Sequence, residues 1–273
     1  PGRIYQETVG FRAEIKKKGS GLMEEILRVE GLKKVFGSDK KKDVIAVDGV
    51  SFSIREGETV SIVGESGSGK TTLARMVTRL ESSSQGKIFL CGEDITHSKG
   101  RELKNAYRKM QMVFQSPVDS FDPRRSLGDG ITEGLRNFGV SKKEADRKAV
   151  EILEACGLKR DLLKRYPHEV SGGQCQRAAI ARALLLEPKL LILDEATSAL
   201  DVTVQKEIVD LLDEVKKTGI SYLMISHDIA LSQNISDRIL VMYGGKIVEE
   251  GDADQVICDP QADYTKKLID SVL

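Results

Sequence analysis

Short runs of apolar residues separated by turn signals predict strands near the beginning of the chain. Residues 25–29 form the first run, and residues 44–63 contain several more that are rich in Val and Ile. Asp-Gly and Glu-Gly pairs separate these runs, as expected for turns between strands. Residues 12–21 are basic and then rich in Gly and Ser, which is typical of a solvated linker. We therefore expect residues 1–22 to be a linker or an added N-terminal segment, with folding beginning near Met23.

The middle of the chain changes to helical periodicity. Ser141 followed by Glu144 forms a capping box, which is a sequence pattern of helix starts. From Ala145 to Cys156 the apolar residues recur at helical spacing, and Gly157 follows them. This pattern predicts a helix between the capping box and the glycine.

Two continuous apolar runs, residues 190–193 and 222–225, have the length of strands. Each is followed by a polar switch and then by a helical pattern. Continuous apolar strands that alternate with helices are typical of a buried parallel sheet with helices on both faces. We therefore predict one α/β domain. Its parts, within residues 23–273, are a core at about 23–112 and 187–251, a helical insertion at about 113–186 and a C-terminal helix at about 261–272.

Composition and charge narrow the class of protein. The 273 residues are 40% hydrophobic and 31% charged, as in an ordinary globular protein. Lys plus Arg and Asp plus Glu number 42 each, so we expect no nucleic-acid partner. No apolar stretch approaches the ~18 to 20 residues of a membrane-spanning helix. The four cysteines are widely spaced, which excludes a disulfide scaffold and indicates a reducing cytoplasm.

A glycine-rich segment that begins at Gly64 fits the pattern of a phosphate-binding loop. It follows a strand-like run and opens a helical run through Leu80. Glycines let the backbone wrap a phosphate, and a helix N-terminus adds aligned N–H groups. Lys70 supplies a point charge, and the Thr71 hydroxyl can ligate Mg²⁺. The pattern predicts a nucleoside triphosphate site, with the candidate ligands Gly64, Ser66, Gly67, Ser68, Gly69, Lys70, Thr71 and Thr72.

The apolar run 190–193 ends in two carboxylates, Asp194 and Glu195. Ligands of open parallel sheets gather at the carboxyl ends of the strands. Asp194 can hold Mg²⁺ there, directly or through water, and Glu195 is placed to polarise the attacking water in phosphoryl transfer. A surface acid at a strand end is the alternative, and the phosphate loop earlier in the chain favours the catalytic interpretation.

A second glycine-containing motif, Ser171-Gly172-Gly173-Gln174, precedes a helical pattern from Cys175 to Leu186. Backbone N–H groups at a helix N-terminus again face outward, as an anion site requires. Alone, this motif could be a helix cap and a turn. In the company of the phosphate loop it predicts a second anion site.

The order of these motifs resembles the nucleotide-binding subunit of an ATP-binding cassette (ABC) transporter over about residues 25–272. The resemblance implies an α/β P-loop ATPase core with an antiparallel β subdomain and an inserted helical subdomain. It also implies a head-to-tail dimer, in which the phosphate loop of one subunit and the second motif of the other enclose each ATP. The segments that carry the resemblance are Gly64 to Thr71, Gln115, Ser171 to Gln174, Asp194-Glu195, Ser198 to Asp201 and His227.

The resemblance assigns roles to residues that the spacing alone leaves open. It implies that Gln115 reaches Mg²⁺ and the water and also links to the membrane partner, and that His227 contacts the γ-phosphate. The expected catalytic residues are Glu195, His227, Gln115 and Lys70, and the expected metal ligands are Thr71, Gln115 and Asp194.

Two further residues are expected at the nucleotide. Asp201 resembles part of a loop that passes across the dimer interface, and a helix N-cap for Val202 onward is its alternative. Phe36 stands where the family carries an aromatic residue that stacks on adenine. A core Phe that ends a strand is the alternative for Phe36.

Three phrases narrow the resemblance to the dipeptide, oligopeptide and nickel importers. They are Ser116 to Arg124, Tyr166 to Gly173 and Asp194 to Gln205. Asp259 to Leu268 is also similar to the closing segment of that group, and no metal cluster is expected. Pro1 to Gly21 matches nothing in the usual subunit, and a fused or tandem cassette cut at a linker would explain it.

The expected function is Mg²⁺-dependent ATP hydrolysis by a dimer of like or unlike subunits. Hydrolysis would drive a transmembrane permease, contacted near residues 115–133, to import a peptide, nickel or a similar small solute. The chain would then lie in the cytoplasm on the inner face of the membrane. A soluble ATP-dependent clamp that assembles another protein complex is the alternative. A cassette that binds ATP without hydrolysing it would have to lack catalytic groups that this chain retains.

Overall fold

The computed structural model describes residues 24–38, 41–197 and 200–271. The expected linker of residues 1–22 lies outside these ranges, as do Ser198 and the residues that follow 271. In the described part of the chain, a six-stranded sheet and a four-stranded sheet pack with helices between and around them. The strands are β1 (Glu25–Ser38), β2 (Lys41–Arg55), β3 (Thr59–Val63), β4 (Gln85–Leu90), β5 (Glu93–Asp94), β6 (Met110–Val113), β7 (Leu190–Asp194), β8 (Ser221–Ser226), β9 (Arg238–Tyr243) and β10 (Lys246–Asp252).

The helices of the described residues alternate with the strands of the large sheet or lie in the insertion. They are α1 (Lys70–Val77), α2 (Gly100–Lys109), α3 (Leu127–Asn137), α4 (Lys142–Ala155), α5 (Gly172–Leu184), α6 (Val202–Lys216), α7 (Ile229–Ile235), α8 (Ala253–Cys258) and α9 (Asp263–Asp270). Two short 3-10 turns, Arg160–Lys164 and Pro167–Glu169, join α4 to α5. No helix of the described residues is both long enough and apolar enough to cross a lipid bilayer.

The small sheet is antiparallel, with the order β2-β1-β4-β5. The large sheet has the order β10-β9-β3-β8-β7-β6, in which all neighbours are parallel except β10 and β9. This confirms the α/β class with an antiparallel subdomain and an inserted helical subdomain. The parallel register brings the carboxyl ends of β3, β7 and β8 to one edge, because Val63 pairs with Ser226 and Asp194 pairs with Ile225.

The continuous apolar runs are explained by burial of both faces of the large sheet. On β7, Leu190 and Ile192 belong to the core that contains α1 and the small sheet. Leu191 and Leu193 alternate with them and face the core formed with α5 and α6. Because successive side chains of a strand point to opposite faces, a strand covered on both sides has to be apolar throughout.

Helix α1 begins at the phosphate loop and is shorter than the sequence pattern suggested. The pattern continues to Leu80, but the helix ends at Val77. The Thr78 hydroxyl donates to the Ala74 carbonyl, and Arg79 takes a positive φ of 60° that stops the helix. Leu80 is therefore 52% exposed and does not complete an apolar helix face.

The insertion contains α3, α4 and α5, as its helical periodicity predicts. Ser141 caps α4 by accepting a hydrogen bond from the Glu144 N–H, which is one half of the predicted capping box. The other half is absent, because the Glu144 carboxylate pairs with Arg147. Helix α5 begins at Gly172 and ends at Leu184, two residues before the expected end. Glu187 has a positive φ of 53° just beyond it, so the chain turns there toward β7.

Candidate functional site

The phosphate loop connects the end of β3 to the start of α1, and its glycines are required by close contacts. Gly64 has a φ of 147°, and a Cβ there would lie 2.2 Å from the Met242 carbonyl oxygen. Gly69 has a φ of 106°, and a Cβ there would lie 2.2 Å from the Ala46 carbonyl oxygen. Neither position accepts a side chain, so the loop is pressed against β9 on one side and β2 on the other.

Lys70 lies inside this loop and is 5% exposed. Its Nζ donates to the Gly64 carbonyl at 2.7 Å and to the Glu65 carbonyl at 2.8 Å, and it lies 3.4 Å from Ser68 Oγ. Burial lowers the pKa of Lys70, whereas the nearby carboxylates of Glu195, Asp194 and Glu65 act in the opposite direction. The loop thus holds a partly desolvated ammonium group at the place where the sequence predicts a phosphate.

The expected metal ligands Thr71 and Asp194 meet at the edge of the sheet. Thr71 Oγ1 donates to Asp194 Oδ1 at 3.2 Å, and Asp194 is only 4% exposed. Burial raises the pKa of Asp194, although the hydrogen bond from Thr71 lowers it. A buried carboxylate beside a hydroxyl offers hard oxygen donors, and a cation there would offset the cost of burying the negative charge. These residues fit Mg²⁺.

The described residues hold no cluster of three or more His, Cys, Asp or Glu side chains that could bind a metal by itself. A magnesium site does not need such a cluster, because Mg²⁺ usually takes one or two protein ligands together with substrate phosphates and water. The Thr71–Asp194 pair therefore has the composition of a magnesium site that is completed by a triphosphate.

Glu195 is the centre of a polar cluster formed by the ends of three strands. Gln115 Nε2 donates to Glu195 Oε2 at 2.7 Å, and His227 Nδ1 lies 3.6 Å from the same oxygen. Glu195 has a positive φ of 47°, and its N–H donates to the Ile225 carbonyl at 2.9 Å. Gln115, Glu195 and His227 thus lie at one edge of the large sheet, and Lys70 belongs to the phosphate loop that follows β3 at the same edge.

The motif Ser171 to Gln174 forms the N-terminus of α5. Ser171 Oγ accepts from the Gln174 N–H at 3.2 Å, and Gln174 Oε1 accepts from the Ser171 N–H at 3.0 Å. The motif is therefore a capping box, and the N–H groups of a first helical turn have no partner within the helix. Within the described residues, no hydrogen bond or ion pair joins Ser171, Gly172, Gly173 or Gln174 to the phosphate loop.

Asp201 is the N-cap of α6, where Oδ1 accepts from the Val204 N–H at 3.0 Å. The helix-cap alternative is thus present in the structure, and a role at an interface stays a prediction. Ser198, which opens the same motif, lies outside the described residues.

Phe36 is not a core residue, because it is 45% exposed near the end of β1. It pairs in register with the exposed Val44, and Ile45 beside it is also exposed. Lys34 Nζ lies 4.9 Å from the centre of the Phe36 ring. Ile45 lies on the opposite face of the strand from Val44. Since Ala46 touches the phosphate loop at Gly69, the paired Phe36 and Val44 side chains form an apolar surface beside the loop. The sequence does not identify Val44 as part of this surface, because its apolar run indicates only a strand.

Comparisons with known proteins find relatives over most of this chain. The family model described as ABC transporter matches residues 47–198. The chain is 45% identical to the oligopeptide transport ATP-binding protein OppF of Streptococcus mutans, over 91% of this chain and 82% of that protein. It is 46% identical to the glutathione import ATP-binding protein GsiA of Salmonella typhimurium, over 91% of this chain and 41% of that protein.

Solved structures show the same likeness. The dimeric ATP-binding cassette MJ0796 bound to ADP and Pi superposes with a TM-score of 0.76 at 28% identity, over 83% of this chain and 98% of that chain. The cassette cbiO1 of Clostridium perfringens, part of the ABC transporter complex cbiONQ, superposes with a TM-score of 0.75 at 30% identity, over 86% of this chain and 92% of that chain.

Proposed function

The chain belongs to the ABC transporter family and is an ATPase, and we propose that it energises the import of peptides or similar small solutes through a membrane permease. The observation that carries the hydrolytic part of the proposal is the meeting of Gln115, Glu195 and His227 around one carboxylate oxygen. The relatives reported above are named for the transport of oligopeptides and the import of glutathione. Because glutathione is itself a peptide, both names support peptides as the class of solute.

The proposed ATP site extends from the apolar surface at Phe36 to the phosphate loop. The adenine would stack on the Phe36 ring, which contributes flat apolar area. The phosphates would lie on the N–H groups of the loop and of the first turn of α1, and Lys70 would direct one of its three N–H donors to them while keeping the Gly64 carbonyl as a partner. The proposed ligands in one chain are Phe36, Gly64, Ser66, Gly67, Ser68, Gly69, Lys70, Thr71 and Thr72.

Mg²⁺ is the proposed metal, held by Thr71, Asp194 and Gln115 together with the phosphates. When bound, it neutralises charge on the phosphates and aligns them for in-line attack. Within the chain, the Asp194 carboxylate is buried and accepts a hydrogen bond from the Thr71 hydroxyl. Thr71 Oγ1 and Asp194 Oδ1 are therefore already close together and could bind the metal with little rearrangement.

Glu195 is the proposed general base of hydrolysis. Its carboxylate would accept a proton from the attacking water, and the Gln115 amide keeps that carboxylate directed into the site. His227, at the end of the neighbouring strand, would contact the transferred phosphoryl group. General-base catalysis by a positioned carboxylate typically contributes about 10² to 10⁴ in rate.

A second cassette subunit is proposed to complete each site. The first turn of α5, beyond the capping box at Ser171, has outward N–H groups that can donate hydrogen bonds to an anion. Within one described chain, however, no hydrogen bond or ion pair joins this motif to the phosphate loop. A head-to-tail dimer would bring Ser171, Gly172, Gly173, Gln174 and the Asp201 loop of one copy to the ATP of the other. The likeness to a dimeric cassette supports this arrangement.

The proposed contact with the permease is a groove beside Gln115. The groove has a volume of about 660 Å³ and lies between the core and the insertion, lined by Leu80, Tyr107, Phe114 and Phe138 among others. An apolar helical segment of a permease would fit such a groove. Binding there would place the chain on the inner face of the membrane and would couple it to Gln115, one residue beyond Phe114.

Uptake by living cells tests the proposal. A strain that lacks this gene is complemented with wild type or with Glu195→Gln, and the uptake of a labelled tripeptide is measured. Wild type is expected to restore uptake and Glu195→Gln is expected not to. Unchanged uptake in the deletion strain, together with loss of a soluble protein complex, would instead support a soluble ATP-dependent clamp.

A further inference from the structure

One peptide unit of the phosphate loop is held from both sides. The Gly64 carbonyl accepts from Lys70 Nζ at 2.7 Å, and the Glu65 N–H donates to the Tyr264 hydroxyl at 3.1 Å. This carbonyl and this N–H belong to the same planar amide, in which they point in opposite directions. The two hydrogen bonds therefore fix the orientation of the amide plane.

Tyr264 is itself held firmly in place. Its ring stacks on Tyr243 at the end of β9, with the ring centres 4.1 Å apart and the planes inclined by 29°. The entry to α9 is fixed by the Glu249 carboxylate on β10, which accepts the N–H groups of Gln261 at 2.7 Å and Ala262 at 3.0 Å. The hydroxyl thus belongs to a rigid support formed by β9, β10 and α9.

The support also reaches the loop by a second bond near its other end. The Gly245 N–H, in the turn between β9 and β10, donates to the Ser68 carbonyl at 3.0 Å. The apolar side of α9, with Leu268 and Ile269, is buried against Val63 and Val241 of the large sheet. The phosphate loop is therefore supported by α9 and by the turn between β9 and β10, in addition to the strand and helix that it connects.

We propose that Tyr264 is a positioning residue for ATP binding, which acts through the Gly64–Glu65 amide to keep the Lys70 ammonium inside the phosphate loop. Tyr264 does not need to touch the nucleotide for this role. The inference rests on the phosphate loop being the ATP site of the proposed function, and it assigns a task to the C-terminal helix.

The physical reason lies in preorganisation. Lys70 is buried, so its ammonium needs acceptors, and the Gly64 carbonyl is one of them only while the amide keeps its present orientation. Without the tyrosine hydroxyl, the amide can rotate and ATP binding must order it again. The groups around Glu195 are untouched, so the effect belongs to ATP affinity and not to the chemical step.

The test is Tyr264→Phe, with Tyr243→Phe as the matched control. Both variants remove one hydroxyl and keep the stacked rings, but in the described residues only the Tyr264 hydroxyl receives a hydrogen bond from the loop. We expect Tyr264→Phe to raise the KM for ATP about three- to tenfold, the effect of one neutral hydrogen bond, with kcat within about twofold of wild type. The Kd of trinitrophenyl-ATP should rise by the same factor. Tyr243→Phe should match wild type.

Glu249→Gln is a second variant that loosens the start of α9 without changing either tyrosine. It is expected to raise KM by a smaller factor in the same direction. If wild type binds the analogue normally and Tyr264→Phe has the same KM and Kd, or loses kcat at unchanged KM, the positioning role is wrong. If wild type itself binds no analogue, the proposed ATP site is wrong, so the two failures are distinguishable.

Discussion

Glu195 combines a positive φ with a carboxylate oxygen that two side chains approach. A left-handed conformation at a residue with a Cβ costs about 1 to 2 kcal/mol, and the surrounding sheet has to compensate for it. The turn directs the side chain toward Gln115 and His227. Strained backbone at the end of a buried strand is thus part of how the site is built.

Replacing Glu195 by Gln keeps the shape of the side chain and removes its basicity. We expect turnover to fall about 10² to 10⁴-fold, because no carboxylate then accepts the proton of the attacking water. Affinity for ATP should be kept. Phosphate release and equilibrium binding of ATP measure the two quantities separately. Wild-type turnover in the variant would show that another group is the base.

The reactivity of individual cysteines tests whether Cys156 and Cys175 are buried in the folded protein. Burial raises the pKa of Cys156 to about 12 and that of Cys175 to about 11, so at pH 8 both remain protonated in the folded protein. Since the thiolate is the reactive form, we expect iodoacetamide to modify the exposed Cys258 first. Cys156 and Cys175 should react only after unfolding. Rapid labelling of Cys175 in the native protein, read by mass spectrometry, would contradict its position in the core.

The sequence predicts the residues of the site better than it predicts their contacts. Gly64 to Thr71 was identified because a phosphate loop is a local motif with strict spacing. In the Glu195 cluster, the hydrogen bond from Gln115 joins residues 80 positions apart, and the alternation of apolar strands and helices indicates only that the strand ends share an edge. Tyr264 lies 199 positions from Glu65, and no local pattern connects a tyrosine to a loop so distant.

Among the elements, the helix N-termini carry the second half of the proposed site. Ser171 and Ser141 are chemically equivalent caps, since each accepts an N–H three residues later at 3.2 to 3.3 Å. Only the cap of α5 is proposed to face ATP. The two positions therefore separate the structural effect of a cap from its functional effect.

Ser171→Ala and Ser141→Ala should each lower the free energy of unfolding by about 1 kcal/mol, because each removes one N-cap hydrogen bond. Only Ser171→Ala should also reduce ATP hydrolysis. Urea unfolding and steady-state turnover measure the two effects on the same samples. Equal loss of turnover in both variants would mean that Ser171 contributes stability alone.

Element boundaries show where sequence patterns fail. The apolar periodicity that continues to Leu80 suggested a longer α1, but the hydroxyl of Thr78 bonds back to the Ala74 carbonyl and Arg79 turns the chain. Leu80 then lines the groove beside Gln115. An apolar residue that lines a groove has the same polarity as one in a core, so apolar periodicity cannot distinguish the two positions.

At the scale of the whole molecule, no hydrogen bond or ion pair in the described residues connects the two proposed half-sites. The phosphate loop lies on the core and the Ser171 motif lies on the insertion. A two-fold symmetric dimer would pair each half-site with its complement and would form two identical composite sites. The order of the sheets and the placement of the insertion produce this separation, which the spacing of the motifs along the chain does not reveal.

Gly172 offers a variant that disables one half-site with little effect on folding. A Cβ there meets nothing within 4 Å, and an acidic residue in a first helical turn is favourable for the helix. Gly172→Asp should nevertheless repel a phosphate. Lys70→Ala disables the other half-site by removing the loop ammonium. Each variant alone should therefore have little ATPase activity.

The measurement that tests the shared site most directly is the ATPase activity of an equimolar mixture of Lys70→Ala and Gly172→Asp chains. Random pairing of two-fold dimers gives hybrids in half of the cases, each with one intact site, so the mixture should recover about a quarter of wild-type activity. A mixture that remains inactive although both variants are folded, or high activity of either variant alone, would contradict a site built from two chains.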